Sequence, residues 1–304
     1  MYMQKQRGRP TKRKYIPYDY EEAYQNDLSL ISEAMVETML FNGKIRSVYA
    51  TKTIRSGTQF EVEIYPEFTR KSDVPTAGLK KKDREAQHNL NDKHARKRFK
   101  RLANENFRSG DLWGTLTYDD RHLPQSMDEA IKNMRNFIRR VNYQRKKRSL
   151  PPAKYMYITE WEQTQDEEIR AHHHFLMDGI LTADEVESIW KAGRRNEVNR
   201  LDYDRNGITG LATYLMKNPK GFRRWCASLN LRDPDERKNH QDFKGKQVRK
   251  MVQDQNSIAR IMEAKYKEYA FKDQRVYYND FNGRFYIYVE MTKKDHIKDK
   301  VVDI

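Results

Sequence analysis

The residues best placed to do chemistry lie in one short stretch, Arg170-Ala171-His172-His173-His174-Phe175-Leu176-Met177. Its apolar tail reads as a strand. Successive strand side chains point to opposite faces, so His172 and His174 project together while His173 points away. Two imidazoles on one strand face give a divalent cation two nitrogen ligands and leave other positions open for a substrate oxygen. The preceding run, Tyr155-Met156-Tyr157-Ile158-Thr159-Glu160-Trp161, reads as the other arm of an antiparallel hairpin joined through the acidic loop from Gln163 to Glu168. That pairing sets Glu160 beside His172 as a third ligand, with Glu162 of the same parity as its rival. A mixed imidazole and carboxylate set working beside phosphates suits Mn2+ or Mg2+, and zinc is chemically admissible. By itself a histidine triplet is more often an accident of the surface, and hairpin acids are often merely solvated. The reading therefore turns on what else the chain supplies.

Some 40 residues later, Tyr214 and Lys217 stand three apart in Gly210-Leu211-Ala212-Thr213-Tyr214-Leu215-Met216-Lys217, a predicted helix stopped by Asn218-Pro219. This spacing puts both on one helix face. A phenol has a reference pKa of about 10, so ionising it at pH 7 costs about 4 kcal/mol, and a nearby cation such as Lys217 would offset part of that. The only other tyrosine considered as a nucleophile, Tyr203, is flanked by Asp202 and Asp204, whose negative charge opposes a phenolate.

Composition names the partner class. Of 304 residues, 60 are Lys or Arg against 44 Asp or Glu, a formal net charge of +16, which calls for a polyanion, most simply nucleic acid. Aromatics at 12% argue for a folded chain despite a hydrophobic fraction of only 37%. The single cysteine, Cys226, excludes an internal disulfide and a cysteine-cluster zinc site. No apolar run approaches the roughly 20 residues of a membrane span and the basic N-terminus has no apolar signal core, so a cytoplasmic protein without membrane contact is expected.

The elements that must position these groups follow from periodicity. Residues 1–18 read as a basic arm and Tyr20 to Leu40 as one amphipathic helix. Ile45 to Tyr49 and Phe60 to Tyr65 read as a hairpin around Arg55-Ser56-Gly57. A helix from about Gln87 to Asn104 carries Arg96, Lys97, Arg98, Lys100 and Arg101, a one-signed run expected to track phosphates. The strand Trp113-Gly114-Thr115-Leu116-Thr117-Tyr118 follows, then a helix opened by Ser126-Met127-Asp128-Glu129 and closed before Pro151-Pro152. After the histidine strand, Thr182-Ala183-Asp184-Glu185 opens another helix, 196–206 reads as a loop, and 243–269 holds a broken helical pattern. Val276 to Tyr278 and Arg284 to Met291 form a last hairpin with a turn at Asn282-Gly283. No phosphate-binding loop of the G-x-x-x-x-G-K-[ST] type is present.

Taken together, the strand 113–118, the His-x-His strand at His172 to His174 and the helix bearing Tyr214-x-x-Lys217 resemble, in order and spacing, the three motifs of HUH endonucleases. These are the initiators of rolling-circle replication in plasmids and small single-stranded DNA phages. The sequence departs from the pattern at His173, where the family usually has an apolar residue. The resemblance implies an α+β fold with a ferredoxin-like or RRM-like central antiparallel sheet, packed helices and helical extensions. The expected division is a basic arm and helix over 1–43, a nickase core over 44–229, and a helical segment with a hairpin over 230–304. It also implies a metal held by His172, His174 and Glu160, attack by Tyr214 aided by Lys217, and contact with single-stranded or extruded origin DNA through the basic helix, Tyr118 and Lys220. Without a phosphate loop, a host helicase and the replication machinery of a bacterial host would be partners. A mobilisation relaxase or transposase of the same chemistry, or a non-enzymatic basic DNA-binding protein with structural histidines, would share these features.

Overall fold

The computed structural model describes residues 15–41, 45–75, 84–163, 168–204, 207–216 and 225–294, with backbone alone at 84–89, 162, 163, 168 and 169. In chain order its elements are α1 (Tyr20–Ala23), β1 (Asn26–Asp27), α2 (Glu33–Phe41), β2 (Val48–Ser56), β3 (Gln59–Glu67), α3 (Arg84–Asn106), β4 (Leu112–Thr117) and α4 (Met127–Lys147). Then come β5 (Tyr155–Gln163), β6 (Glu168–Met177), α5 (Ala183–Ile189), β7 (Glu197–Arg200), α6 (Thr209–Leu215), β8 (Cys226–Ala227), β9 (Asp235–Asn239), α7 (Gly245–Gln253), α8 (Ser257–Lys265), β10 (Tyr269–Asn279) and β11 (Arg284–Lys293).

The fold is α+β, with the strands in two antiparallel sheets. One has the order β7-β4-β6-β5-β8 and holds the histidine strand; the other has the order β1-β10-β11-β3-β2-β9. In the histidine sheet, α4 crosses from β4 to β5, the β5–β6 hairpin follows, and α5 leads to β7. Period-two alternation divides its residues between two cores. Leu116, Tyr157, Phe175 and Met177 face α4 and α5 through Met134, Phe137, Val141, Val186 and Ile189. Met156, Ile158 and Leu176 face the other way, against Phe99, Leu102 and Ala103 of α3 and Ala212 and Leu215 of α6. The N-terminus of α4 is fixed by Ser126, whose hydroxyl accepts the Glu129 amide. Its last turn is fixed by Arg145, fully buried and paired to Asp178.

The second sheet buries Val62, Ile64, Ile287 and Val289 against Val248 and Met251 of α7 and Ile258 and Met262 of α8. Its opposite side reaches α3 by charge. Lys97 Nζ lies 2.8 Å from Glu21 Oε1 and 3.5 Å from Glu63 Oε1. One turn further on, the Arg101 guanidinium grips Glu61 through two bonds of 2.9 and 2.7 Å and Glu63 through one of 2.9 Å. Helix α3 therefore touches both sheets, with apolar residues toward one and cations toward the other.

Three expectations are revised. The helix from Tyr20 to Leu40 is broken into α1 and α2, because Asp27 accepts the Ser29 amide and Asn26-Asp27 pair with Tyr277 and Tyr278 of β10. The stretch 196–206 contains an edge strand, β7, too short for alternation to reveal. The polar run after Leu229 supplies β9, whose charges meet those of β2 at Lys52–Glu236 and Arg55–Asp235. The sheets also cut across boundaries at 43/44 and 229/230, since β3 pairs with β11 from Phe60 to Ile64. Among the described residues no helix is long and apolar enough to cross a membrane.

The buried ion cluster sets a measurable stability. Arg101→Ala leaves Glu61 and Glu63, whose side chains are 13% and 1% exposed, without their guanidinium. The expected cost is about 3–5 kcal/mol in urea denaturation. Burial alone would raise the Glu61 carboxyl, but Arg101, Tyr288 and Lys97 hold it below the usual carboxylate range. Its contribution is complete above the unfolded-state value of about 4.3 and is lost as pH falls through the lower folded value. A Glu61→Gln variant should accordingly show a shallower fall in urea midpoint between about pH 5 and pH 3 than the unmodified protein.

Candidate active site

Register assembles the cluster. In the β5–β6 ladder Glu160 pairs with His172 and Ile158 with His174, so all four side chains share one face of the sheet. His172 Nε2 lies 3.2 Å from His174 Nε2 and 3.3 Å from Glu160 Oε2, and His174 Nε2 lies 3.8 Å from the same oxygen. A cation about 2.1 Å from three ligands at octahedral to tetrahedral angles needs them about 3.0–3.4 Å apart. The triangle is of that size and leaves one side open, so the donor set fits a divalent cation. The proton positions fit as well. His172 Nδ1 is 2.9 Å from the Arg170 carbonyl, to which it can only donate, leaving the Nε2 lone pair for a ligand. His174 Nδ1 is 2.9 Å from the Thr115 hydroxyl on β4.

The electrostatics reflect three polar groups packed face to face. Burial pushes the Glu160 carboxyl up, but hydrogen bonds to His172 and His174 outweigh it and bring it down to about 2. Burial likewise pulls His172 down, while Glu160 and the Arg170 carbonyl raise it above an ordinary imidazole.

His173 points into the opposite core. It is fully buried, with Nε2 2.8 Å from the Tyr118 hydroxyl and Nδ1 2.9 Å from the Thr159 hydroxyl. A neutral imidazole has one donor and one acceptor nitrogen, which serves both hydroxyls. Burial, and then the neighbouring His172 and His174, lower it to about 3, so it stays neutral.

Tyr214 is carried to the cluster by α6. It is 61% exposed, and its ring centroid sits 6.1 Å from that of His174. The helix is placed by Asn104 of α3, which accepts the Ile208 amide and donates to the Thr209 hydroxyl. Gly207, at a positive φ of 65°, makes the approach; a Cβ there would meet Asn104 Oδ1 at 2.5 Å. Tyr203, by contrast, is buried with its hydroxyl donating to the Phe107 carbonyl, and burial raises it to about 12.

The remaining expected residues separate. Lys217, Lys220 and the side chain of Glu162 lie outside the described residues, although the β5–β6 register shifts between Glu160 and Glu162, so strand parity does not carry from one to the other. Lys97 and Arg101, expected to meet phosphates, are engaged by Glu21, Glu61 and Glu63. Tyr118 is buried between His173 and Trp190. Arg96 and Arg98 are exposed and Lys100 is half-buried. Thr115, Thr159 and Asn104 escape sequence reasoning, because their importance depends on cross-strand and helix-to-helix partners distant in the chain.

The geometry thus defines a class: a three-ligand cation centre on a sheet face with an exposed tyrosine at its side. A family model for replication-associated proteins of the ORF2 type matches residues 111–219, the stretch that holds Glu160, His172, His174 and Tyr214. That similarity is consistent with a replication initiator. No curated protein and no solved structure matches the chain.

Two measurements check this arrangement. At about a hundredfold excess over its dissociation constant, Mn2+ should stabilise the protein by about 2.7 kcal/mol in thermal melts, and Glu160→Ala with His174→Ala should abolish the effect. His173→Ala, which leaves two hydroxyls unpaired around a cavity, should cost about 2–4 kcal/mol of stability in urea.

Proposed function

We propose that the protein is a metal-dependent, site-specific endonuclease and strand transferase for single-stranded DNA that initiates rolling-circle replication. The observation that carries this reading is the convergence of Glu160, His172 and His174 on one sheet face beside the ring of Tyr214. The order β7-β4-β6-β5, built by the sequence β4-α4-β5-β6-α5-β7, supports a ferredoxin-like nuclease unit of the HUH type. The family match over 111–219 and the +16 charge support DNA as the substrate.

Glu160, His172 and His174 hold the cation, Mn2+ or Mg2+, which when bound supplies Lewis-acid polarisation of a scissile phosphate. Tyr214 attacks that phosphorus. A bond forms between its oxygen and phosphorus, the bond to the 3′-oxygen breaks, the phenolic proton is given up and the leaving oxygen gains one. The products are a 5′-phosphotyrosine and a free 3′-hydroxyl able to prime synthesis, and the reverse attack by a 3′-hydroxyl rejoins strands. Exposure of Tyr214 lets a DNA strand reach it without opening the fold. Lys217, close in sequence, balances the phenolate. His173, Thr115 and Asn104 act by holding the strand, the His174 ring and α6. A bacterial host helicase and replication machinery follow as partners.

Purified protein with Mn2+ should nick its cognate single-stranded oligonucleotide and retain a covalent adduct on a denaturing gel. Tyr214→Phe should lose the adduct, and His172→Ala with His174→Ala should slow nicking at least about a hundredfold. An adduct persisting in Tyr214→Phe would remove the tyrosine from its role.

A further inference from the structure

Cations of α3 other than those that grip Glu61 and Glu63 face a second feature. Between α3 and the β10–β11 hairpin runs a groove of about 380 Å3, whose walls include Lys93, Arg96 and Lys100 from the helix and Arg275, Tyr277 and Tyr288 from the strands. Lys93 Nζ sits 5.5 Å over the ring of Tyr277, and Lys97 Nζ sits 4.4 Å over that of Tyr288. Tyr277 is only partly buried, and its ring is held by stacking on Tyr286 with centroids 5.6 Å apart and planes within 18°. The acid at the rim, Glu290, is occupied by the Tyr288 hydroxyl at 3.0 Å and by Lys272 at 3.4 Å. Desolvation at the groove wall, and then Lys97 and Arg275, press the Lys93 ammonium below its ordinary value despite the opposing pull of Glu21. Like charges gathered at this density are relieved by an anion.

The groove does not stand alone. A narrower crevice that shares Lys97, Lys100, Tyr288 and Glu290 with it ends at Thr209, the first residue of the helix that carries Tyr214. An extended polyanion leaving the tyrosine therefore has a continuous path along α3. Alternation of ammonium or guanidinium groups with partly exposed rings suits a nucleic-acid strand, whose phosphates and bases alternate in the same way, better than an acidic peptide.

We infer that the groove between α3 and the β10–β11 hairpin is a second DNA site, binding the sugar-phosphate backbone of the single strand that flanks the cleavage point. This rests on the reading that the protein handles single-stranded DNA, but it concerns a different face and different residues from the nicking chemistry.

The test is fluorescence anisotropy with labelled oligothymidine of about 30 nucleotides over a series of salt concentrations. Losing two phosphate contacts lowers the slope of log K against log salt by about 1.4. Lys93→Ala with Arg275→Ala should reduce affinity about tenfold near 0.1 M salt and lower the slope by about that amount. Tyr277→Ala should weaken binding about tenfold with the slope unchanged. A control that removes two exposed lysines of α4, Lys132→Ala with Lys146→Ala, should do much less. Melting temperatures close to that of the unmodified protein qualify each variant for comparison. If the groove pair binds no worse than the α4 pair, or if polyglutamate competes as well as the oligonucleotide at equal charge, the inference falls. Adduct formation on a short oligonucleotide spanning only the cleavage point should survive in the groove variants, so failure of the groove and failure of Tyr214 chemistry give different results.

Discussion

The arrangement depends on how α3 satisfies two sheets at once. Toward the histidine sheet it presents Phe99, Leu102 and Ala103, and apolar burial there is favourable without further conditions. Toward the other sheet it must meet Glu61 and Glu63 on β3, and carboxylates this buried are tolerable only when paired and hydrogen-bonded. Lys97 and Arg101, one turn apart, meet that requirement and so fix both the rotation of the helix about its axis and its height along the strand. From this fixed helix Asn104 reaches α6, and from α6 Tyr214 reaches the cluster. Replacing the pair by apolar residues would keep contact but would lose the angular definition that hydrogen-bonded charges impose.

The cluster itself is a product of strand register. Glu160 opposite His172, and Thr115 opposite His174, are adjacent positions of three paired strands, and a slip of one residue would turn every one of them to the wrong face. The same alternation explains His173. Its neighbours must face the site, so it must face the core, and there the Tyr118 and Thr159 hydroxyls make a buried imidazole acceptable.

Much of this was legible in the sequence because it rests on local periodicity. His172 and His174 follow from parity, Glu160 from the shortness of the hairpin, and α4 and α5 from their capping residues. What was hidden rests on distant partners. A run such as Arg96 to Arg101 reads as one continuous basic surface, yet helical geometry turns Lys97 and Arg101 inward toward acids 34 to 40 residues earlier. Tyr118 ends a strand and looks available, but its partner His173 lies 55 residues on. Strand β9 is almost wholly charged and becomes a strand only because β2 offers matching charges. The tyrosine helix was found from Tyr214-x-x-Lys217, although α6 ends at Leu215 before the lysine is reached.

The pairing of β3 with β11 joins Ile64 to Ile287, residues separated by more than two hundred positions, and the whole histidine sheet lies between them in the chain. That nesting sets an order of folding. Contacts within β4 to β7 close short loops and can form while the chain is still being made, whereas the second sheet must wait for its last strand. Until then β2 and β3 have open edges and α3 has no acids in place to hold it. The tyrosine would therefore acquire its final position late, and a chain interrupted before β11 would carry the histidine cluster without the framework that aims a nucleophile at it.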